Sequence, residues 1–400
     1  MAHLATLRVA AVVGLAVLMV VSLATVASAA QRSPWGPAVN AESVPGTSQE
    51  LNTPSLDGCP FVSPDGRSLY LASDRPGGVG GIDIWVARRT HRSDPWGPPR
   101  NLGAPVNSTA DDFCPSPTSG RRLFFVSTRA GGCGQADIYL TRRTSRGWTP
   151  PHNLGCNVNS AAAEAGPVYL NRGGTRLLYF SSTRPGGFAP EAQGSPPDAD
   201  LYVSAAGRNG RFSVPVLVAG VNTAANDARP HLRGDGLELV FDSDRPGTLG
   251  GPDIWASTRR RLHAPWSLPV NLGPDVNSVA AETRASFADH GRTLYFGSTR
   301  PGGEGASDLY VTTREGEHDG AAAIGRAATP AQLALARTLA REHGAYPAPI
   351  GQKSTSTQPI VPSGASRLLA AVGLVGLTML LAAAVAFLWM RGRARAREAT

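Results

Sequence analysis

The chain has 400 residues, 42% hydrophobic and 17% charged, with a formal net charge of +8 and 4 cysteines. The positive excess does not describe a nucleic-acid surface. Part of it lies in the arginines of residues 391–400, the repeats carry Asp and Glu beside Arg, and no basic run is interleaved with aromatics. Lys353 is the only lysine, which fits a high-GC coding bias better than a binding device.

In chain order, the first prediction is a signal peptide over residues 1–30. Arg8 precedes an apolar run over residues 9–26, and Ala27, Ser28, Ala29 and Ala30 follow as a cleavage-like site. From Trp35 onwards the sequence repeats itself. Ser73-Asp74-Arg75-Pro76-Gly77-Gly78 leads to Asp83-Ile84-Trp85, and the phrase returns around Arg129, Arg184, Arg245 and Arg300. A period of about 55 residues indicates a solenoid, propeller or tandem array.

Each unit breaks into four short strand candidates. In the second these are Phe113 to Ser116, Leu123 to Ser127, Asp137 to Thr141 and Trp148 to Leu154, separated by Gly120, Gly131-Gly132 and Arg146-Gly147. Leu69-Tyr70-Leu71 and Leu123-Phe124-Phe125-Val126 are apolar on both faces, as strands packed between neighbouring sheets are. Four antiparallel strands repeated radially predict an all-β, five-bladed β-propeller over residues 31–314. The last unit stops after Leu309-Tyr310-Val311-Thr312, while Trp35 to Asn40 matches Trp96 to Asn101. The N-terminal strand is therefore expected to complete the last blade and remove its open edge.

A second phrase joins Asn52 to Asp57, Asn107 to Asp112, Asn159 to Glu164, Asn222 to Asp227 and Asn277 to Glu282. Each carboxylate enters an innermost strand, so the five could ring one channel mouth. One reading makes them structural acceptors of backbone N–H groups or partners of the motif arginines. The other makes them a cation or polyol ring, since calcium takes several oxygen ligands. Within each blade, Arg75 is expected to bond Asp83, with Arg129 to Asp137, Arg184 to Asp200, Arg245 to Asp253 and Arg300 to Asp308 as its copies. The third pair is stretched by an inserted segment, residues 188–199, which is either a binding loop or a tolerated insertion.

Export permits disulfides, and four cysteines allow three connectivities. Cys133 with Cys156 and Cys59 with Cys114 are the geometrically natural pairs. Free thiols at the rim remain the alternative, and no metal site is expected. No cofactor is expected either, calcium apart. After residue 314 the composition changes to a stalk, residues 315–366, with a short helix near 330–343 and a Pro/Ser/Thr-rich tether. Residues 368–390 carry no charge and are long enough to span a bilayer. Arg391, Arg393, Arg395 and Arg397 place the tail, residues 391–400, in the cytoplasm. The expectation is a single-pass membrane protein with its propeller on the extracytoplasmic side.

The Ser63-Pro64-Asp65-Gly66 turn, the Leu69-Tyr70-Leu71 strand and the Ser-x-Arg-Pro-Gly-Gly to Asp-Ile-Trp phrase resemble the WD40-like PD40 repeat of TolB-type propellers. The resemblance covers residues 35 to 314. It implies a propeller outside the cytoplasm that binds protein partners or envelope components. TolB-type proteins have six blades and a further N-terminal domain, so their partner set is not carried over.

No Gly-x-Ser-x-Gly, His-Glu-x-x-His or phosphate loop occurs, and a glycosidase needs two unequal carboxylates rather than five near-identical copies. No catalytic residue is expected. The leading expectation is thus a non-enzymatic binding or scaffold module for an envelope protein or cell-wall glycan. The alternative is a glycosidase-like enzyme, or a cation-dependent sugar-binding propeller, using Asp57, Asp112, Glu164, Asp227 or Glu282.

Overall fold

A computed structural model describes residues 35–188 and 198–314. The signal peptide, most of the inserted segment, the stalk, the spanning segment and the tail predicted above lie outside the described residues. Among those described, five sheets each run from an inner to an outer strand, four of them in sequence order and the fifth ending on the N-terminal strand. Blade one consists of Asp57–Val62, Ser68–Ser73, Asp83–Arg88 and Arg100–Asn101. Blades two, three and four repeat the plan, starting at Asp112–Pro117, Glu164–Arg172 and Asp227–Leu232. Blade five begins with Glu282–Ala288, continues through Thr293–Ser298 and Asp308–Thr313, and takes its outer strand from Val39–Asn40.

The predicted closure is present. Val39 pairs with Val311 and Asn40 with Tyr310 in antiparallel register. Gly36 N–H donates to Thr313 C=O at 2.8 Å, and Trp35 is buried beneath the Arg314 guanidinium, 4.4 Å from its ring centre. In blade two the outer strand is shorter than expected. His152–Asn153 forms it, whereas Gly147–Trp148 folds back on the third strand as a small hairpin.

The strands form because each blade is sandwiched between two others, so both faces need apolar side chains. Tyr179, Leu201 and Val203 of blade three pack on Leu239, Phe241 and Trp255 of blade four, and equivalent layers fill the other interfaces. Replacing one such buried Leu by Ala removes about 2–5 kcal/mol.

All five inner strands break register at the same place. Two residues face one on the neighbouring strand, the pattern of a β-bulge. The first bulged residue has positive φ in every blade: Cys59 (47°), Cys114 (48°), Gly166 (55°), Arg229 (52°) and Arg284 (58°). Four are followed by proline and the fifth by Ala285. The bulges bend the inner strands and turn these five residues toward the axis, forming a neck. Gly166 is glycine because a Cβ there would stand 2.6 Å from Arg229 Cα.

Candidate functional site

The neck separates two unlike ends of the central channel. At one end stand the five predicted carboxylates, all buried. Asp57 accepts the Thr53 N–H and hydroxyl on one oxygen and the Arg75 guanidinium on the other. Asp112 accepts Ser108 N–H at 2.6 Å and Arg129 at 2.6 Å. Glu164 takes Ser160, Ser182 and Arg184, and Glu282 takes Ser278, Ser298 and Arg300. Asp227 takes Thr223, Ser243 and Arg245. Both oxygens of every carboxylate are thus engaged within its own repeat. The asparagine five residues earlier clasps a third strand: Asn107 Oδ1 accepts Ile84 N–H and its Nδ2 donates to Ile84 C=O, both at 3.0 Å. Asn52 does the same to Leu309 and so ties the first blade to the last.

The motif arginines therefore have partners other than those expected. Arg75 reaches Asp57 rather than Asp83, and Arg129, Arg184, Arg245 and Arg300 reach Asp112, Glu164, Asp227 and Glu282 rather than Asp137, Asp200, Asp253 and Asp308. Strand register explains this. Asp57 lies opposite Ser73, so Arg75, two residues on, falls beside the inner-strand carboxylate. Ser73 Oγ accepts Arg75 Nε at 2.9 Å, and the guanidinium lies 5.3 Å from the Trp85 ring centre. The same packing on Tyr139, Tyr202, Trp255 and Tyr310 accounts for the aromatic that ends each phrase.

The loop-closing role belongs to Asp83 and its copies. Asp83 accepts Val79 N–H and Asn101 Nδ2, Asp137 accepts Cys133 N–H, and Asp200, Asp253 and Asp308 accept Phe188, Leu249 and Glu304 N–H. Burial raises Asp253 and Asp308 above the usual carboxylate range and pushes Asp200 up to about 6.

Both expected disulfides are present. Cys59–Cys114 spans adjacent blades at the neck with Cα atoms 4.9 Å apart, and Cys133–Cys156 joins the Gly-Gly loop of blade two to the following connection, 5.5 Å apart. Opposite the first disulfide, Arg229 and Arg284 share one carboxylate. Asp242 accepts Arg229 Nε at 2.9 Å and the Arg284 backbone N–H at 2.9 Å. Burial, with the Arg229 charge beside it, pushes the Arg284 guanidinium down to about 10.

Beyond the neck the channel opens into a cavity of about 1210 Å³ to which all five blades contribute. Its floor is aromatic. Phe61 from blade one meets His231 from blade four across the channel, ring centres 4.5 Å apart, and Phe287 lies 5.9 Å from His231. His231 Nδ1 accepts Phe287 N–H at 3.3 Å. Burial pushes the imidazole down to about 3, so it is neutral with its proton on Nε2. That buried Nε2 has no hydrogen-bond partner among the described residues.

Two carboxylates line the cavity, from neighbouring blades. Asp235 sits in the turn after the inner strand of blade four. It accepts Arg233 Nε on both oxygens, at 3.0 and 2.9 Å, and Leu237 N–H at 2.9 Å. Burial alone would raise it, but these bonds and the Arg233 charge outweigh burial and hold it below the usual carboxylate range. Arg233 also bonds Glu238 at 2.7 Å, and Glu238 in turn receives both arms of Arg314, so the wall is braced to the ring closure. Asp289 is more open. It begins the one-turn helix Asp289–Gly291 and, among the described residues, pairs only with exposed Arg292, at 2.8 Å. None of the cavity residues belongs to the predicted site; Asp235 and Asp289 occupy the turn that holds Asp65 in blade one, a position read from the sequence only as a turn.

No family model matches the chain, and no curated protein sequence matches it. Solved structures do. The chain is similar to a thermostable family-43 glycoside hydrolase, with 13% identity, 68% of this chain and 94% of that one covered, and a TM-score of 0.48. It is also similar to a xylan beta-1,4-xylosidase from Bacillus halodurans C-125 (15% identity, 68% and 55% covered, TM-score 0.48). A third likeness is to a GH43_12 protein retrieved from capybara gut metagenome (14% identity, 69% and 55% covered, TM-score 0.45). The chain thus spans about half the length of the last two.

These findings correct two expectations. The resemblance to PD40 repeats of TolB-type propellers gives way to a likeness to family-43 glycoside hydrolase propellers. Against the expectation of a non-enzymatic binding or scaffold module stand the printed names of these structures, which are glycoside hydrolases. At 13–15% identity the likeness concerns the fold alone, and no residue or substrate is transferred from it.

Proposed function

We propose that the protein is a carbohydrate-active propeller that takes a glycan into the cavity beyond its neck and hydrolyses it there. One observation carries this reading. Of the two channel ends, only the cavity end presents two unequal carboxylates from adjacent blades, Asp235 and Asp289, above an aromatic floor with an unpartnered donor at His231. Glycosidic hydrolysis uses one carboxyl group to protonate the leaving oxygen and another, ionised, to attack or to activate water. In this assignment Arg233 keeps Asp235 ionised as the attacking or water-activating carboxylate, and Asp289 is the second carboxyl group of the pair. Arg122, Arg172 and Arg176 of the cavity wall orient sugar hydroxyls. Export and a single-pass tether belong to the same proposal, resting on the sequence of residues 1–30 and 368–390.

The test is release of reducing ends from a polysaccharide panel by the full chain. Turnover that falls at least about a hundredfold in Asp289→Asn, with binding retained, is the expected result. Binding without turnover in the native chain would reduce the protein to a sugar-binding propeller and overturn the hydrolytic assignment. Absence of binding across the panel would overturn the glycan reading itself.

A further inference from the structure

The cavity is unevenly charged, and so is the surface into which it opens. Its charged lining comprises six arginines against two aspartates. Three of the arginines are committed to neighbours: Arg89 to Gly66 and Asp94 carbonyls, Arg92 to Pro64 and Asp65 carbonyls, and Arg233 to its carboxylates. Arg122, Arg172 and Arg176 have no side-chain hydrogen bond or ion pair among the described residues. They come from the neighbouring blades two and three and line the same cavity.

The asymmetry continues outside. In blades one, four and five, the turn after the inner strand carries Asp65, Asp235 or Asp289. The equivalent turns of blades two and three, Thr118-Ser119-Gly120-Arg121 and Arg172-Gly173-Gly174, carry none. At this face blade two adds exposed Arg142, Arg143 and Arg146, blade three adds exposed Arg208 and Arg211, and blade four adds exposed Arg260 and Arg261, so what sets blades two and three apart is the missing aspartate. Residues 117–123, 140–150, 170–177 and 204–215, which build this face, contain no Asp or Glu. A basic tract without internal neutralisation, continuous with a low-dielectric cavity, concentrates field and attracts polyanions. Guanidinium groups also match carboxylate and phosphate oxygens in fork geometry.

Building on the glycan reading above, we propose that the substrate is an anionic glycan, bearing uronate carboxylates or phosphate groups. The polymer enters the cavity past Arg122, Arg172 and Arg176 and continues over the arginines of blades two and three. A glycan suits the tract better than nucleic acid, because the nearby rings offer no open stacking platform. Tyr169 and Phe212 pack edge to face with centres 6.3 Å apart, and Arg143 covers Trp148 at 5.6 Å.

The experiment measures binding of the full chain to polygalacturonate, to the same polymer with its carboxylates methyl-esterified, and to a phosphorylated mannan. Polygalacturonate or the phosphorylated mannan is expected to bind at least about tenfold tighter than the esterified polymer at low salt, and added salt should erode the difference. Whichever anionic polymer binds more tightly assigns carboxylate or phosphate as the group read. The combined Arg122→Gln, Arg172→Gln, Arg176→Gln variant should lose this preference while keeping its melting temperature. Equal affinity for charged and esterified polymers would overturn the charge inference and leave the glycan reading standing. Binding to none of the three would remove both. Tighter binding to duplex DNA or to anionic vesicles than to either charged glycan would also overturn the inference, marking the tract as a general polyanion surface.

Discussion

The two ends of the channel are built from the same strands, yet they spend their polar groups differently. At the repeat end, each carboxylate is matched to an arginine, a hydroxyl and a backbone N–H of its own unit, five times over. At the cavity end the turns diverge, an aspartate occupies them in only three of the five blades, and His231 Nε2 and three arginines have no side-chain partner among the described residues. A residue repeated with complete bonding reads as architecture. A residue that breaks the repeat beside open space reads as function.

The sharpest way to break that comparison is to remove a carboxylate from each end. Asp227→Ala leaves buried Arg245 without its counter-charge and should cost about 3–5 kcal/mol in urea unfolding. Adding Arg245→Met should restore much of that loss. Asp289→Ala, at the exposed end, should cost less than about 0.5 kcal/mol. Similar losses at both sites would erase the distinction.

The disulfides come next in size. In the chain-entropy view, loss of the Cys59–Cys114 link, which closes 55 residues, should cost about 4 kcal/mol, and loss of the Cys133–Cys156 link, which closes 23, about 3 kcal/mol. Paired Cys→Ser variants in denaturant melts measure both. A smaller effect at the neck than in the peripheral loop would contradict its role as the joint between the two ends.

His231 supplies the pH dependence. Its folded value of about 3 lies below the ordinary 6.5, so the unfolded chain takes up this proton first. The stabilisation is complete above pH 6.5 and is lost progressively as pH falls toward 3, reaching about 2 kcal/mol at pH 5. His231→Phe should flatten this part of the melting-temperature profile. An unchanged acid slope in that variant would place the titrating group elsewhere.

Much of the fold was legible because it is written in repeated residues. The blade count, the closure by Val39–Asn40 and the Cys59–Cys114 pair follow from copies placed at equal spacing, and the Cys133–Cys156 pair from two connections that emerge on one face. The arginine partners did not follow, since Arg75 is nearer in sequence to Asp83 and only the Asp57–Ser73 register brings it to Asp57. The neck had a visible signal in Pro60, Pro115, Pro167 and Pro230, each three residues beyond an inner-strand acid. The cavity had almost none. Tyr169, His231, Asp235 and Asp289 lie on three blades, and only the ring brings them to one space.

The most direct measurement is a crystal structure of the protein soaked with oligosaccharides cut from whichever polymer binds best. Sugar density resting on Phe61 and His231, within reach of Asp235 and Asp289 and along Arg122, Arg172 and Arg176, is the predicted result. Density at the opposite end, with Asp57 or its copies released from their arginines to meet it, would contradict the assignment of architecture to one end and function to the other.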